Sequence, residues 1–265
     1  MAEPSAARAR VEQAWDEAAL GYDAYFGPRF APYLGAAIGA LLGRQSQLPS
    51  GSVLVPCVGP GRELPALAAA LAPRQILASD LSTAMVARAR ERAAAFANVS
   101  LVQADATALV APAEGAAALL SVFGLQLLPE PANTLGDWIR LLAPGGLAAI
   151  AYWPRESEAV GPFHCMRALL RQAGLADGDW EERLVASALA AGGRLLCDTR
   201  LCFEIEHEDA RSMWRALTHL GPLRALMHAR GEGFIAELGE QFTAGLPAGA
   251  LHHTPAARLL LIERG

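Results

Sequence analysis

Two glycines and an aspartate carry the first chemical signal in this chain. The apolar run 52–56 leads into Cys57-Val58-Gly59-Pro60-Gly61. Glycines after such a run permit a tight turn and a close approach of backbone to a ligand. Asp80 ends the next apolar run, 21 residues after Gly59. A carboxylate there accepts hydrogen bonds from the two hydroxyls of a ribose. The combination points to a nucleoside-bearing ligand. The plainer alternative for Asp80 is a charge at a helix N-terminus beside Ser82. A dinucleotide turn would place a third glycine where Leu64 stands, so a pyrophosphate is disfavoured.

Strands and helices must position these residues. Val11, Trp15, Ala18, Tyr22 and Tyr25/Phe26 recur at helical spacing and predict a helix over 5–26. A second helix is expected from Pro32, a good first-turn residue, to Gly43. Residues 44–51 read as a polar linker. Strands are expected at 52–56, 75–79, 99–103, 117–123 and 147–153, separated by helical stretches, one of them capped by Ser82 and another over 133–142. Continuous apolar strands are buried on both faces. The expected fold class is therefore α/β: a Rossmann-like, seven-stranded, mostly parallel sheet with helices on both faces, plus N-terminal helices and helical insertions. Beyond Trp153 the pattern predicts two helices within 160–192, a strand at 200–206, helix over 209–242 and a last strand at 258–263. The expected organisation is a helical cap at 1–50, a ligand-binding core at 51–153, and helical additions with the last two strands of the sheet at 154–265. The additions, 154–196 and 207–253, are expected over one end of the sheet.

Composition removes several function classes. The chain has 265 residues, 53% hydrophobic and 18% charged, which excludes disorder. Its net charge is −5, and no basic stripe interleaved with aromatics favours nucleic acid. All 22 basic residues are arginine. Schiff-base chemistry and the phosphate-binding lysine of a P-loop are therefore excluded. Cys57, Cys165, Cys197 and Cys202 have neither zinc-site nor disulfide-framework spacing, and are expected as reduced, mostly buried thiols. Glu3, Arg8, Arg10 and Glu12 leave no apolar signal segment at the start, and the apolar stretch 31–43 is too short to span a membrane. A cytoplasmic protein without membrane or nucleic-acid partners is expected.

Four motifs occur in a recognisable order: 53–61, Asp80, Gln103-Ala104-Asp105-Ala106, and Leu142-Ala143-Pro144-Gly145-Gly146-Leu147. Together they resemble the class I S-adenosylmethionine-dependent methyltransferases, in the style of the small-molecule, quinone-biosynthesis-like members. The resemblance covers about residues 10–153. It implies S-adenosyl-L-methionine as cofactor, with the glycine turn at its methionine part, Asp80 on the ribose and Asp105 on the adenine amine. Cofactor contacts are implied for Tyr22, Tyr25, Cys57, Gly59, Gly61, Asp80, Leu81, Asp105, Ala106 and Val122. The stretch 122–126 would pass near the sulfonium, and Pro144-Gly145-Gly146 would be structural. Two positions depart from the family pattern: Val55 stands where an acid is usual and Cys57 where a glycine is usual.

Methyl transfer to a protic acceptor needs alignment, exclusion of water and removal of a proton. Histidine suits the last task because its pKa lies near working pH. Of His164, His207, His219, His228, His252 and His253, the catalytic candidates are His164 and His219, which sit beside apolar residues in the helical additions. His207 and the His252-His253 pair read as surface or loop residues. Phe26, Gln126, Trp153 and Trp214 are candidate acceptor contacts, with core packing the alternative for the tryptophans and for Tyr152. After strand four, Ser121-Val122-Phe123-Gly124 lacks the Pro-Pro-aromatic motif of amino-group methylation and the Pro-Cys of cytosine-carbon methylation. A small, largely apolar acceptor is expected. Two other readings are a methyltransferase-like binding module without catalysis and a nucleotide-dependent oxidoreductase.

Overall fold

The computed structural model describes residues 4–110, 112–174 and 178–265. Residues 1–3 of the expected cap, with Glu3, and residues 175–177 of the expected helical additions lie outside the described residues. In chain order the elements are α1 (Pro4–Leu42), β1 (Val53–Pro56), α2 (Leu64–Leu71), β2 (Ile76–Asp80), α3 (Thr83–Ala93), β3 (Val99–Gln103), β4 (Ala116–Val122), α4 (Pro131–Arg140) and β5 (Leu142–Tyr152). They continue with α5 (Pro162–Gln172), α6 (Trp180–Ala190), β6 (Gly193–Cys202), β7 (Ile205–His207), α7 (Ala210–Leu217), α8 (Gly221–Arg230), α9 (Glu232–Ala244), β8 (Leu251–His253) and β9 (Ala256–Arg264).

Seven strands form one sheet in the order β3-β2-β1-β4-β5-β9-β6. The pairs β3·β2, β2·β1, β1·β4 and β4·β5 are parallel, and β5·β9 is antiparallel. The fold class is therefore the expected one. Side chains alternate across the sheet as the pleat requires. Val53, Val55, Ala118, Leu120, Leu259 and Leu261 enter a core with Leu41, Leu64, Leu67 and Ala89. Leu54, Leu119, Leu260 and Ile262 enter the opposite core with Leu135, Trp138, Ile139 and Leu184. Both faces are thus covered by helices, which is why the central strands β1, β4 and β5 are mostly apolar and buried.

Two compact units divide the chain: 1–31, 155–177 and 202–256 in the first, and 32–154, 178–201 and 257–265 in the second. The second holds the sheet with α2, α3, α4 and α6. The first holds α5, α7, α8, α9 and the antiparallel pair β7·β8, around a core of Phe26, Met213, Trp214, Leu217, Leu238 and Phe242. This division differs from the expected boundaries at 50 and 153. It falls at Pro32, inside a helix, and assigns α6 and β6 to the unit of the sheet.

Four expectations need correction. The two N-terminal helices are one: α1 runs through Gly27, Pro28 and Pro32 without a break. Each proline removes one backbone donor. Buried Phe26 and Tyr33 on either side show packing overriding that local cost. The strand expected at 200–206 is two strands, interrupted at Phe203 and Glu204, and its second half pairs with β8 rather than with the large sheet. β5 begins at Leu142 and carries Pro144-Gly145-Gly146 as an irregularity in its pairing with β4. Cys197 and Cys202 are exposed, while Cys57 and Cys165 are partly buried, so the thiols are not mostly buried.

One buried side chain links a face of the sheet to the loop after β3. The Trp138 indole on α4 is 1% exposed, and its N–H donates to the Ala106 carbonyl at 2.8 Å. Trp138→Ala is expected to destabilise the protein by about 3–5 kcal/mol through cavity formation. Trp138→Phe, which keeps the ring but removes the donor, is expected to cost about 1–3 kcal/mol. Urea unfolding of the two variants checks the order.

Candidate functional site

The strand order turns back at β1, which has β2 on one side and β4 on the other, so ligands are expected at the carboxyl ends of these parallel strands. Backbone bonds first tie the strand ends together. Val58 N–H donates to the Ser79 carbonyl at 3.0 Å, Ala104 N–H to the Asp80 carbonyl at 2.9 Å, and Phe123 N–H to the Ala151 carbonyl at 2.8 Å. The Asp80 carboxylate then holds the glycine turn. Its Oδ2 accepts from Gly59 N–H at 2.8 Å and its Oδ1 from Ser82 N–H at 3.0 Å. Ser82 in turn caps α3, its Oγ accepting from Met85 N–H at 3.1 Å. The ribose candidate is thus also the residue that shapes the turn. A carboxylate oxygen accepts more than one hydrogen bond, so the roles are compatible.

Asp105 follows β3. Its Oδ1 accepts from the Thr107 N–H at 2.9 Å and hydroxyl at 2.7 Å, which presents the carboxylate at the head of the short 3-10 turn containing Ala106. Leu81 is partly buried, and its carbonyl accepts from Gln103 Nε2 at 3.0 Å.

Among the described residues, the non-glycine positions with positive φ are Cys57 at 54° and Phe123 at 61°. They directly follow β1 and β4, the two strands at the switch point. Cys57 therefore keeps the backbone conformation that the usual glycine would supply. Its side chain lies against Gly124: a Cβ added there would stand 2.3 Å from the Cys57 Cβ. Burial pushes the Cys57 thiol well up, and the charges of Asp80 and Asp105 push it further. It is a packed thiol, not a nucleophile. Gly59 has open space where a Cβ would stand, at φ 53°. Gly61 serves a different end. A Cβ there would stand 2.8 Å from that of Ala89 on α3, so this glycine admits helix packing.

Beyond β4, Phe123 stacks on Trp153 with centroids 4.5 Å apart and planes 5° apart. Tyr33, fully buried on α1, meets both rings edge-on at 5.8 and 5.0 Å. Gln126 donates from Nε2 to the Phe123 carbonyl at 2.9 Å, while its Oε1 and the Ser121 Oγ are buried without a hydrogen-bond partner. Val122 is partly buried beside them. Orphaned buried acceptors are costly and call for a partner.

The remaining candidates lie in the first unit. Tyr22, Tyr25 and Phe26 form a ring cluster on α1, with centroids 6.1 Å (Tyr22–Phe26) and 5.0 Å (Tyr25–Phe26) apart. Trp214 is buried against Phe242 at 5.2 Å. His164 is exposed on α5. His219 contacts Gly21 of α1, where a Cβ would clash at 2.7 Å, and its Nδ1 lies 3.3 Å from Arg224 Nη2. Burial, then Arg224, lowers its pKa. His207 and His253 are not the surface or loop residues expected. They are 1% and 8% exposed on β7 and β8. His252, between two acids, is exposed.

Sequence reasoning missed Glu63. It follows Gly61 at the head of α2 and is 7% exposed. Burial raises its carboxyl to about 7, its own backbone N–H opposes this, Asp80 adds to it and Arg92 opposes it. Position at a helix start was the available signal. A carboxyl with a raised folded pKa favours the folded state most below its unfolded pKa near 4.5 and loses that advantage as pH rises through about 7. Glu63→Gln is therefore expected to flatten the stability–pH curve. The variant should match the wild type near pH 4 to within about 1 kcal/mol and exceed it by about 3 kcal/mol at alkaline pH. Urea midpoints at both ends of that range test this.

Residues 53–146 match the family described as "Methyltransferase domain". No curated protein sequence matches the chain. Among solved structures, an S-adenosylmethionine-dependent methyltransferase from Mesorhizobium loti is similar at 17% identity and TM-score 0.53, over 87% of this chain and 99% of that one. A geranyl diphosphate methyltransferase in complex with GPP and sinefungin is similar at 13% identity and TM-score 0.51, over 87% and 78%. The 4+2 cyclase SpnF is similar at 17% identity and TM-score 0.53, over 86% and 80%. At such identities these likenesses establish the fold alone. Over residues 53–146 the chain is thus similar to methyltransferase domains, set within a fold shared with methyltransferases of known structure.

Proposed function

We propose that this protein transfers the methyl group of S-adenosylmethionine to a small organic acceptor. The carrying observation is the acceptor set at the strand ends: the carboxylates of Asp80 and Asp105 around an open glycine turn. A nucleoside offers donors to such a set, from the ribose hydroxyls and the adenine amine. The surroundings are acidic, since Asp80 and Asp105 both raise the Cys57 thiol and Asp80 raises Glu63. This suits a cationic ligand and opposes a pyrophosphate. The orphaned acceptors Gln126 Oε1 and Ser121 Oγ fit a donor-rich ligand as well.

Bound S-adenosylmethionine supplies an electrophilic methyl group on sulfur. Asp80 would hold the ribose, Asp105 and Ala106 the adenine, and Cys57, Gly59, Leu81 and Val122 would line the cofactor. Gly61 supports the turn through its packing on α3. Trp153 and Gln126 are acceptor-side candidates, and Phe123 and Tyr33 fix the Trp153 ring. Tyr22, Phe26 and Trp214 keep the roles proposed from sequence, as do the histidines 164 and 219. Phosphate-rich and nucleic-acid acceptors suit the acidic strand ends poorly. Among the described residues, no helix is long and apolar enough to cross a membrane, in keeping with a cytoplasmic site of action. The likeness to a cyclase makes turnover, not fold, the criterion for the activity.

Calorimetric titration with S-adenosylhomocysteine tests the cofactor reading, with NAD as control. Micromolar affinity for the first and none for the second is expected. Asp80→Ala and Asp105→Ala should each weaken the first by about 1–3 kcal/mol, roughly 5–150-fold. Unchanged affinity in folded variants contradicts the assignments.

A further inference from the structure

Four polar side chains of the first unit form a continuous hydrogen-bonded chain outside the strand-end site. Tyr25 Oη lies 2.8 Å from His207 Nδ1. His207 Nε2 lies 3.1 Å from His253 Nε2, and His253 Nδ1 lies 2.8 Å from Glu158 Oε2. The His253 and Glu158 side chains are 4% and 6% exposed, and His207 is 1% exposed, whereas Tyr25 is only partly buried. The chain therefore opens outward at the phenol.

Its proton positions follow from donor and acceptor inventories. Glu158 lies just before α5, its Oε1 accepting from Phe163 N–H at 2.6 Å and its Oε2 facing His253 Nδ1, so both carboxylate oxygens serve as acceptors. A carboxylate only accepts, so His253 carries its proton on Nδ1. A neutral His253 then presents a bare Nε2, and His207 must donate to it from Nε2. That leaves His207 Nδ1 bare, and Tyr25 donates to it. Every bond in the chain then points toward Glu158.

We propose that the first unit carries a proton-accepting site for an acidic hydroxyl, that of a phenol or enol, with Tyr25 as the entry of a relay through His207 and His253 to Glu158. The inference rests on the methyltransfer reading for its use and names the acceptor class. The acceptor O–H bond breaks and its proton passes to Tyr25 Oη. The Tyr25 proton moves to His207 Nδ1, and the His207 Nε2 proton to His253 Nε2. His253 ends as an imidazolium beside the Glu158 carboxylate, and the electron pair stays on the acceptor oxygen as the nucleophile. His207 passes charge on without keeping it: burial, then His253, then Arg29, lower its pKa to about 3. Around Tyr25 stand Arg29, whose guanidinium lies 3.8 Å from the ring centroid, and Glu208, Asp209 and Arg215 of the segment entering α7. Facing His253 are Glu158, His207 and the Phe163 ring. An aliphatic alcohol is too weak an acid for such a relay, and an amine needs no base before attack. The ring cluster around Tyr25 suits an aromatic acceptor.

The test begins on the ligand-free full chain, so it is independent of cofactor binding. Nitrogen-15 spectra of labelled histidines at neutral pH are expected to show His207 protonated at Nε2 and His253 at Nδ1. On acidification His207 should stay neutral well below neutral pH, because burial and the neighbouring His253 hold its pKa down. His207 protonated at Nδ1, or taking the first proton, overturns the relay. Phenol and 4-nitrophenol are then offered with S-adenosylmethionine in mildly alkaline buffer. Tyr25→Phe should lower kcat about 100-fold or more for phenol, which needs a base, but little for the already ionised 4-nitrophenol. Equal losses on the two overturn the proton-accepting role. If the protein binds S-adenosylhomocysteine but methylates neither probe, the phenol class is overturned while the cofactor reading stands.

Discussion

The hydrogen bond from Gly59 N–H to the Asp80 carboxylate is the constraint on which the strand-end site depends. Parallel pairing sets Pro56 beside Ser79, so β1 and β2 end together. The side chain of Asp80 then fixes how the chain leaves β1. It does so with the group that also offers itself to a ligand. Across β1, Phe123 leaves β4 in the same left-handed conformation as Cys57. Such conformations cost on the order of 1–3 kcal/mol each and persist only where the surroundings enforce them. Here the enforcement is visible: Cys57 against Gly124, and Phe123 against Trp153 and Tyr33.

The proposed selectivity for a cationic, donor-rich ligand rests on charge. Asp80, Asp105 and Glu63 gather at the strand ends in a chain without lysine. Loss of the usual acid at Val55 therefore does not leave the region neutral. Glu63, buried close enough to feel the charge of Asp80, restores an acidic group a few residues further on. The proton relay of the first unit obeys the opposite rule. Its central member, His207, is held neutral by burial, and a single carboxylate stands at the end of the proposed chain.

Much of the sheet and its loops was legible in the sequence, because strands buried on both faces are written as unbroken apolar runs. Ser82 as a cap, the glycine turn after β1 and the strand ends at Asp80 and near Asp105 follow from local chemistry. What escaped depends on contacts remote in sequence. The continuity of α1 through Pro28 and Pro32 is imposed by packing at Phe26 and Tyr33, against the local preference. Splitting of the strand after Cys202 depends on a partner, β8, some 50 residues on. His207 and His253 look like surface residues because their neighbours Glu206 and His252 are exposed; strand alternation buries every second one. Glu158 carries no local signal at all. Its meaning comes from a histidine 95 positions away.

A crystal structure of the protein with S-adenosylhomocysteine would test the central claim most directly. The account predicts the ribose hydroxyls on the Asp80 carboxylate, the adenine amine at Asp105, and a Gly59–Asp80 hydrogen bond retained beneath the ligand. A nucleoside bound elsewhere, or a ligand that displaces Asp80 from Gly59, would contradict it.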